Sequence, residues 1–161
     1  MWVGDWIILG VLAVLVAFGI LVVRRTRYLQ KRQYKIILIN EIIDWASEIV
    51  KSIRMENVPV YNDIDEEAAR KRVLNNRFFH LYGLEAKAEY MNTIAARFPE
   101  LPGKIAEVRL NMKELSDVFL ESLDGNVDDY GCALDNRFIR LEISAEEVIE
   151  FAIQLKNDKL V

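Results

Sequence analysis

Residues 6–23 form an uninterrupted apolar run, WIILGVLAVLVAFGILVV, that contains no charged residue. As a helix, these 18 residues rise about 27 Å, close to the ~30 Å hydrocarbon core of a bilayer. We therefore predict a single transmembrane helix within residues 1–23. Two alternatives fit less well: a buried core helix seldom runs so far without a polar residue, and a cleaved signal peptide needs basic residues before the run, where only Asp5 is charged.

The charges beside the run predict its orientation. Residues 24–35, RRTRYLQKRQYK, carry six cations and no acid, and we term them the basic collar. Because basic flanks stay on the cytoplasmic side, we expect a plasma-membrane protein with a short outer N-terminus and a cytoplasmic C-terminal domain. Indole rings favour the headgroup region and cations favour anionic lipids, so the residues expected at the two interfaces are Trp2, Trp6, Arg24, Arg25, Arg27, Lys31, Arg32 and Lys35.

The net charge of −4 is distributed unevenly along the chain. Residues 36–161 hold 24 acids and 15 bases, so the domain after the collar is strongly acidic. An acidic domain does not attract phosphate backbones, and we expect no nucleic-acid partner. The collar is expected to act as a topology signal, with specific lipid binding as the alternative.

Helical spacing and turn residues divide the domain after the collar into four stretches. Turn signals fall at Pro59 and Asn62, at residues 99–103 and at residues 124–126. Between them, apolar residues recur at spacings of three and four, which predicts a first helix that carries residues 38 to 53 and further helices over about 63–98, 102–124 and 127–157, the last with an interruption near Ser144 as an alternative. Because no Gly or Pro occurs between Val22 and Asn57, we expect the first helix to continue from the anchor through the collar.

These elements predict an all-α protein, with an N-terminal single transmembrane helix followed by a cytoplasmic antiparallel four-helix bundle. The expected organisation is a transmembrane anchor at 1–23, a basic juxtamembrane stalk at 24–35 and a helical bundle at 36–161. Seven apolar residues lie beyond the main stripes. We expect most of them to widen the core, with a partner-binding face as the alternative: Ile37, Ile39, Ile43, Phe79, Tyr82, Ile139 and Ile149.

Few residues suit catalysis or metal binding. His80 and Cys132 are the only residues of their types, which excludes a His-rich di-metal site, and nothing in their spacing links them as base and nucleophile. We expect His80 to be a structural or surface residue and Cys132 to be a buried apolar one. Residues 124–135 begin like a calcium loop, but Asp129 occupies the position of the turn glycine, so we expect no calcium site.

We therefore expect no enzyme, no cofactor and no metal. The leading hypothesis is a membrane-anchored bundle that acts by protein–protein interaction as an anchor, scaffold or accessory subunit. Its expected partners are the lipid bilayer and a protein whose identity the residues do not reveal. Self-association through the small residues Gly10, Ala13 and Ala17 is a further hypothesis. The alternative function is a membrane-bound sensor that binds a ligand in the bundle or lipid at the collar.

Overall fold

The computed structural model describes the backbone of residues 3–54, 66–124 and 127–160, and the side chains of residues 10–54, 74–122 and 132–158. The described backbone forms four helices and no strand: α1 (Val3–Arg54), α2 (Glu66–Ala95), α3 (Leu101–Asp124) and α4 (Val127–Leu160). The prediction of an all-helical protein with a helical bundle is confirmed for this part of the chain. The predicted start of the second helix at residue 63 lies outside the described residues.

The chain divides into two compact units, Met1–Ile37 and Leu38–Val161. We term them the N-terminal unit and the bundle unit. Residues 38–54 of α1 belong to the bundle unit, together with α2, α3 and α4.

The predicted apolar stripes form the core of the bundle unit. Each of the four helices contributes buried side chains three or four residues apart, as expected for helices that bury one face. The stripes comprise Leu38, Ile42, Trp45, Ile49 and Ile53 on α1; Leu81, Leu84, Ala88, Met91 and Ala95 on α2; Ile105, Val108, Met112, Leu115 and Phe119 on α3; and Leu134, Phe138, Leu141, Ala145, Val148, Ala152 and Leu155 on α4.

Polar contacts between the helices establish their directions. Asn40 accepts a hydrogen bond from Lys156, whereas Arg54, fourteen residues later, pairs with Glu142. The residue number therefore rises on α1 as it falls on α4, which makes these two helices antiparallel. The pairs Lys104–Glu147 and Glu114–Arg137 give the same result for α3 and α4. Helices α1 and α3 thus both run antiparallel to α4, as expected for an up-and-down bundle.

Helix α4 continues without interruption through Ser144, so the alternative of a break there is wrong. The Ser144 hydroxyl is buried, donates a hydrogen bond to the Leu141 carbonyl at 3.0 Å and accepts one from the Asn111 amide at 3.0 Å. Because this hydroxyl is satisfied within α4 and by α3, it does not cap a new helix.

The prediction that most of the seven additional apolar residues widen the core is wrong. Only Ile39 is buried, at 1% exposure, because α1 packs against both α2 and α4 and buries a second row of side chains. Ile43 and Ile149 are half-buried. The other four are more than half exposed: Ile37, Phe79, Tyr82 and Ile139.

Candidate functional site

The described part of the apolar run in the N-terminal unit is exposed on every side. Residues 10–23 of α1 are all exposed, and successive residues in a helix point about 100° apart, so the apolar surface encircles the helix. Ten large apolar side chains contribute to it: Val11, Leu12, Val14, Leu15, Val16, Phe18, Ile20, Leu21, Val22 and Val23. A Cβ at Gly10 or Gly19 would meet no other atom within 4 Å, so nothing in the described chain covers these positions.

This surface is unfavourable in water. Burying a large aliphatic side chain is worth roughly 1.5–3 kcal/mol, so covering ten half-exposed side chains would be worth on the order of 10 kcal/mol. Core helices are apolar on one stripe, whereas a helix that is apolar on all sides must be surrounded by protein or lipid. The N-terminal unit therefore presents a binding surface for an apolar environment.

The basic collar follows directly along α1. Arg24, Arg25, Arg27, Lys31 and Lys35 are exposed and Arg32 is half-buried. Within the part of the chain that the structure describes, none of the six forms an ion pair with an acid. At the border between run and collar, the Thr26 hydroxyl donates to the Val22 carbonyl at 2.9 Å, so it needs no external partner.

The two predicted indole anchors cannot be placed. Trp2 lies outside the described residues, and Trp6 lies in α1 with a side chain outside the described set. Among the described residues, no helix contains a stretch that is apolar and long enough to cross a bilayer. The described residues therefore do not support the transmembrane helix predicted from the sequence.

The bundle unit carries an open groove of about 780 Å³ between α1 and α4. Two basic residues of α1, Lys51 and Arg54, line one wall, and Glu146 and Glu150 of α4 line the other. Arg54 pairs with both Glu142 and Glu146, and its hydrogen bond to Glu142 is the main reason that its pKa is raised. Sequence reasoning missed this cluster, because its members are 88 and 92 residues apart and only the packing of α1 on α4 joins them.

The interior of the bundle unit is apolar. The buried polar residues among the described side chains are three serines, and each donates its hydroxyl to a carbonyl of its own helix: Ser52, Ser122 and Ser144.

A cavity between α2 and α3 beside Phe78 and Met112 holds about 10 Å³, which is about the size of one water molecule. A groove of about 390 Å³ farther along the same two helices is lined by Arg109 and Lys113, and the buried amide oxygen of Asn92 has no hydrogen-bond partner there.

Neither candidate for catalysis belongs to a cluster. His80 is exposed on α2, as a surface histidine would be. Cys132 is an exposed free thiol, so the expectation that it is buried is wrong. Its position on α4, two residues before the buried Leu134, points it away from the core. No group of three metal-binding side chains occurs among the described residues, and most of the calcium-like loop, residues 124–131, has no described side chains.

Comparison with known proteins gives no family assignment. No family model, no curated protein and no solved structure matches the chain. The described helices define the protein as a helical bundle.

Proposed function

We propose that this chain is a single-pass membrane protein whose cytoplasmic helical bundle acts by protein–protein interaction, as an anchor, scaffold or accessory subunit. The observation that carries the proposal is the apolar surface of residues 10–23 of α1, exposed on all sides and followed at once by six cations that form no ion pair with any described acid. The proposed membrane segment is residues 6–23, and it extends beyond the side chains that the structure describes.

The charge distribution supports an inner location for the bundle. Basic residues that flank a membrane segment stay on the cytoplasmic side, and near an anionic surface each is worth about 1 kcal/mol. The acidic domain is repelled by the same surface, so collar and bundle would favour different distances from the membrane. This proposal places the N-terminus outside and the bundle in the cytoplasm.

The bundle surface supports an interaction role. Its core lacks buried charge among the described side chains, whereas large apolar residues are exposed on its outside. These include residues on three helices, all more than half exposed: Phe79 and Tyr82 on α2, Leu110 and Leu120 on α3, and Ile139 and Ile143 on α4. Such residues would suit a protein partner where they join into one contiguous patch.

Membrane insertion is tested by placing two arginines at the centre of the run, Val14→Arg with Leu15→Arg. At a bilayer centre, each arginine costs about 2.5–3.5 kcal/mol more than a neutral reference, so the pair should cost about 6 kcal/mol. We expect the wild-type chain to stay in the membrane pellet after alkaline carbonate extraction and the double variant to be released. The matched control, Thr26→Arg with Gln30→Arg, adds the same charge in the collar and should stay in the pellet. Release of the wild-type chain would refute the anchor.

Topology is tested with Cys132, the single and exposed cysteine of the chain. In sealed right-side-out vesicles, a membrane-impermeant maleimide should leave Cys132 unlabelled until detergent is added. In inverted vesicles, the same reagent should label it at once. A control chain with Cys132→Ser and Trp2→Cys should give the opposite pattern. Labelling of Cys132 from the outer side would reverse the proposed orientation.

Lipid sensing by the collar is the second candidate function, favoured by six cations that have no acidic partner within the part of the chain that the structure describes. Replacing Arg24, Arg25 and Arg27 by glutamine should then weaken the preference for vesicles that contain phosphatidylglycerol over neutral ones. A purely topological collar would follow surface charge alone and would not distinguish phosphatidylglycerol from another anionic lipid at equal charge. Partition of the detergent-solubilised chain between two vesicle populations of different density, one with each anionic lipid, separates the two roles.

A further inference from the structure

The outward face of α2 carries a stripe without charge. Its members are exposed and follow one another at spacings of three and four, the period of helices that pair in a coiled coil. We term them the α2 stripe: Asn76, Phe79, Gly83, Ala86, Tyr90 and Thr93. Phe79 is 70% exposed, the highest value among the large apolar side chains of the described residues, and Tyr90 is 56% exposed while its hydroxyl donates to the Glu41 carboxylate of α1 at 3.4 Å. Outward faces of monomeric proteins are usually charged, so this stripe is atypical of a free surface.

Gly83 at the middle of the stripe has no role within the chain itself. A glycine in the middle of a helix is unfavourable, and it persists where a backbone must come close to another group. A Cβ built on Gly83 meets nothing within 4 Å, so no part of the described chain needs the space. Ala86, one turn later, is also small and exposed. Small residues at this spacing let a second helix approach to the lower end of the usual 8–10 Å range.

The stripe is complementary to itself. Read from either end, it runs polar, aromatic, small, small, aromatic, polar. A second α2 placed antiparallel sets Phe79 opposite Tyr90 and Gly83 opposite Ala86, and a parallel one sets each residue opposite its own copy. In both directions the aromatic rings of the two helices meet, and the two backbones come closest at the small residues Gly83 and Ala86. The polar ends also suit this contact, because the Thr93 hydroxyl already donates to the Glu89 carbonyl at 3.0 Å.

We propose that the α2 stripe is a helix-pairing surface, occupied by the α2 stripe of a second copy of this chain. This names a partner for the interaction role proposed above and in that respect rests on it. The pairing is distinct from association through Gly10, Ala13 and Ala17, because it uses residues of the bundle unit.

The contact is small, which determines where it can form. At about 200 Å² for each aromatic ring, Phe79 and Tyr90 offer about 250 Å² per copy, or about 500 Å² for the pair. Stable interfaces in solution bury about 1,200–2,000 Å². The pairing therefore depends on a raised local concentration, which two chains anchored in one membrane would provide. The test accordingly uses the full chain in membranes.

Disulfide trapping tests the approach of the two helices. In a Cys132→Ser background, Gly83→Cys and Ala86→Cys are introduced separately, and copper phenanthroline serves as the oxidant. A disulfide needs Cα atoms within about 7 Å, which only closely packed helices provide. Dimers of Gly83→Cys alone support parallel pairing. Dimers only from the mixture of both variants support antiparallel pairing. Asp117→Cys, exposed on α3 away from the stripe, should stay monomeric.

Gly83→Leu provides the second test, because the open space at Gly83 lets the monomer accept the side chain. We expect unchanged or higher thermal stability but about tenfold less dimer, trapped through Ala86→Cys if the pairing is parallel and through mixed Phe79→Cys and Tyr90→Cys chains if it is antiparallel, since leucine keeps the helices apart. The matched control is Gly103→Leu on α3, which also fills open space and should leave the dimer unchanged.

Failure of the helix pairing and failure of the membrane anchor give different results. A chain that stays in the membrane pellet but gives no dimer at position 83 or 86, in either arm, overturns the pairing and leaves the anchor intact. Equal trapping with and without Gly83→Leu also overturns it. A chain that is released from the membrane instead contradicts the proposed function. Trapping is then repeated after detergent reconstitution at high protein density. Absence of the dimer under those conditions overturns the pairing.

Discussion

Replacing Trp45 by phenylalanine tests how α1 is held in the bundle unit. The indole ring is 3% exposed, and its Nε1 donates a buried hydrogen bond to the Leu84 carbonyl of α2 at 3.0 Å. This bond joins two helices at the centre of the core. Phenylalanine keeps an aromatic ring in the site but removes the donor and part of the ring volume.

The expected cost follows from these two losses. A net intramolecular hydrogen bond contributes about 1 kcal/mol, and the Leu84 carbonyl keeps a helical partner, so no acceptor is left unpaired. The lost ring atoms and the small cavity they leave cost about 1–2 kcal/mol more. The free energy of unfolding should therefore fall by about 2–3 kcal/mol, which lowers the melting temperature by about 6–15 °C for a unit of this size.

The measurement is urea unfolding of the full chain in a mild non-ionic detergent, followed by circular dichroism at 222 nm. Tyr82→Phe is the control, because it also removes a polar atom from an aromatic residue but at a site that is 61% exposed. It should change the free energy of unfolding by less than about 0.5 kcal/mol. If Trp45→Phe also stays within this limit, the inference that this bond and ring hold α1 against α2 is wrong.

Three further predictions concern the bundle unit. Ser144→Ala should lower the free energy of unfolding by about 1–1.5 kcal/mol, because the Asn111 amide loses an acceptor; an unchanged urea midpoint would contradict this. Ile105→Ala, at a fully buried site, should cost about 2–5 kcal/mol in the same assay, whereas Leu110→Ala, at 55% exposure, should cost less than about 0.5 kcal/mol. Cys132 should react fully with one equivalent of a thiol reagent in the detergent-solubilised folded chain, and reaction only after urea is added would show that it is buried.

The helices and most of their core could be predicted from the sequence. The spacing of Ile105, Val108 and Met112 is a local property, and a helix that buries one face must place such residues inward. The predicted bounds of α3 and α4 differ from the observed ones by at most three residues. The run at 6–23 and the basic collar are likewise visible in the residues alone.

The candidate surfaces were only partly predictable. Phe79 and Ile39 look equivalent in sequence, since each is an extra apolar residue next to a core position. Packing separates them: α1 has neighbours on two sides and buries Ile39, whereas the outward side of α2 leaves Phe79 exposed. The exposure of Cys132 also depends on how the helices pack, because the residues alone do not show how much of the α4 surface is buried.

By itself, the sequence determined that the chain is helical, where its helices run, which stripe of each enters the core and where apolar, basic and acidic segments follow one another. These are properties of neighbouring residues, and the period of 3.6 residues per turn makes them readable. Only the tertiary structure decided which helices touch, that Arg54 meets Glu142 and Glu146, and that the α2 stripe faces outward. Those facts depend on pairs of residues that are far apart in the chain, and the packing of whole helices brings them together or keeps them apart.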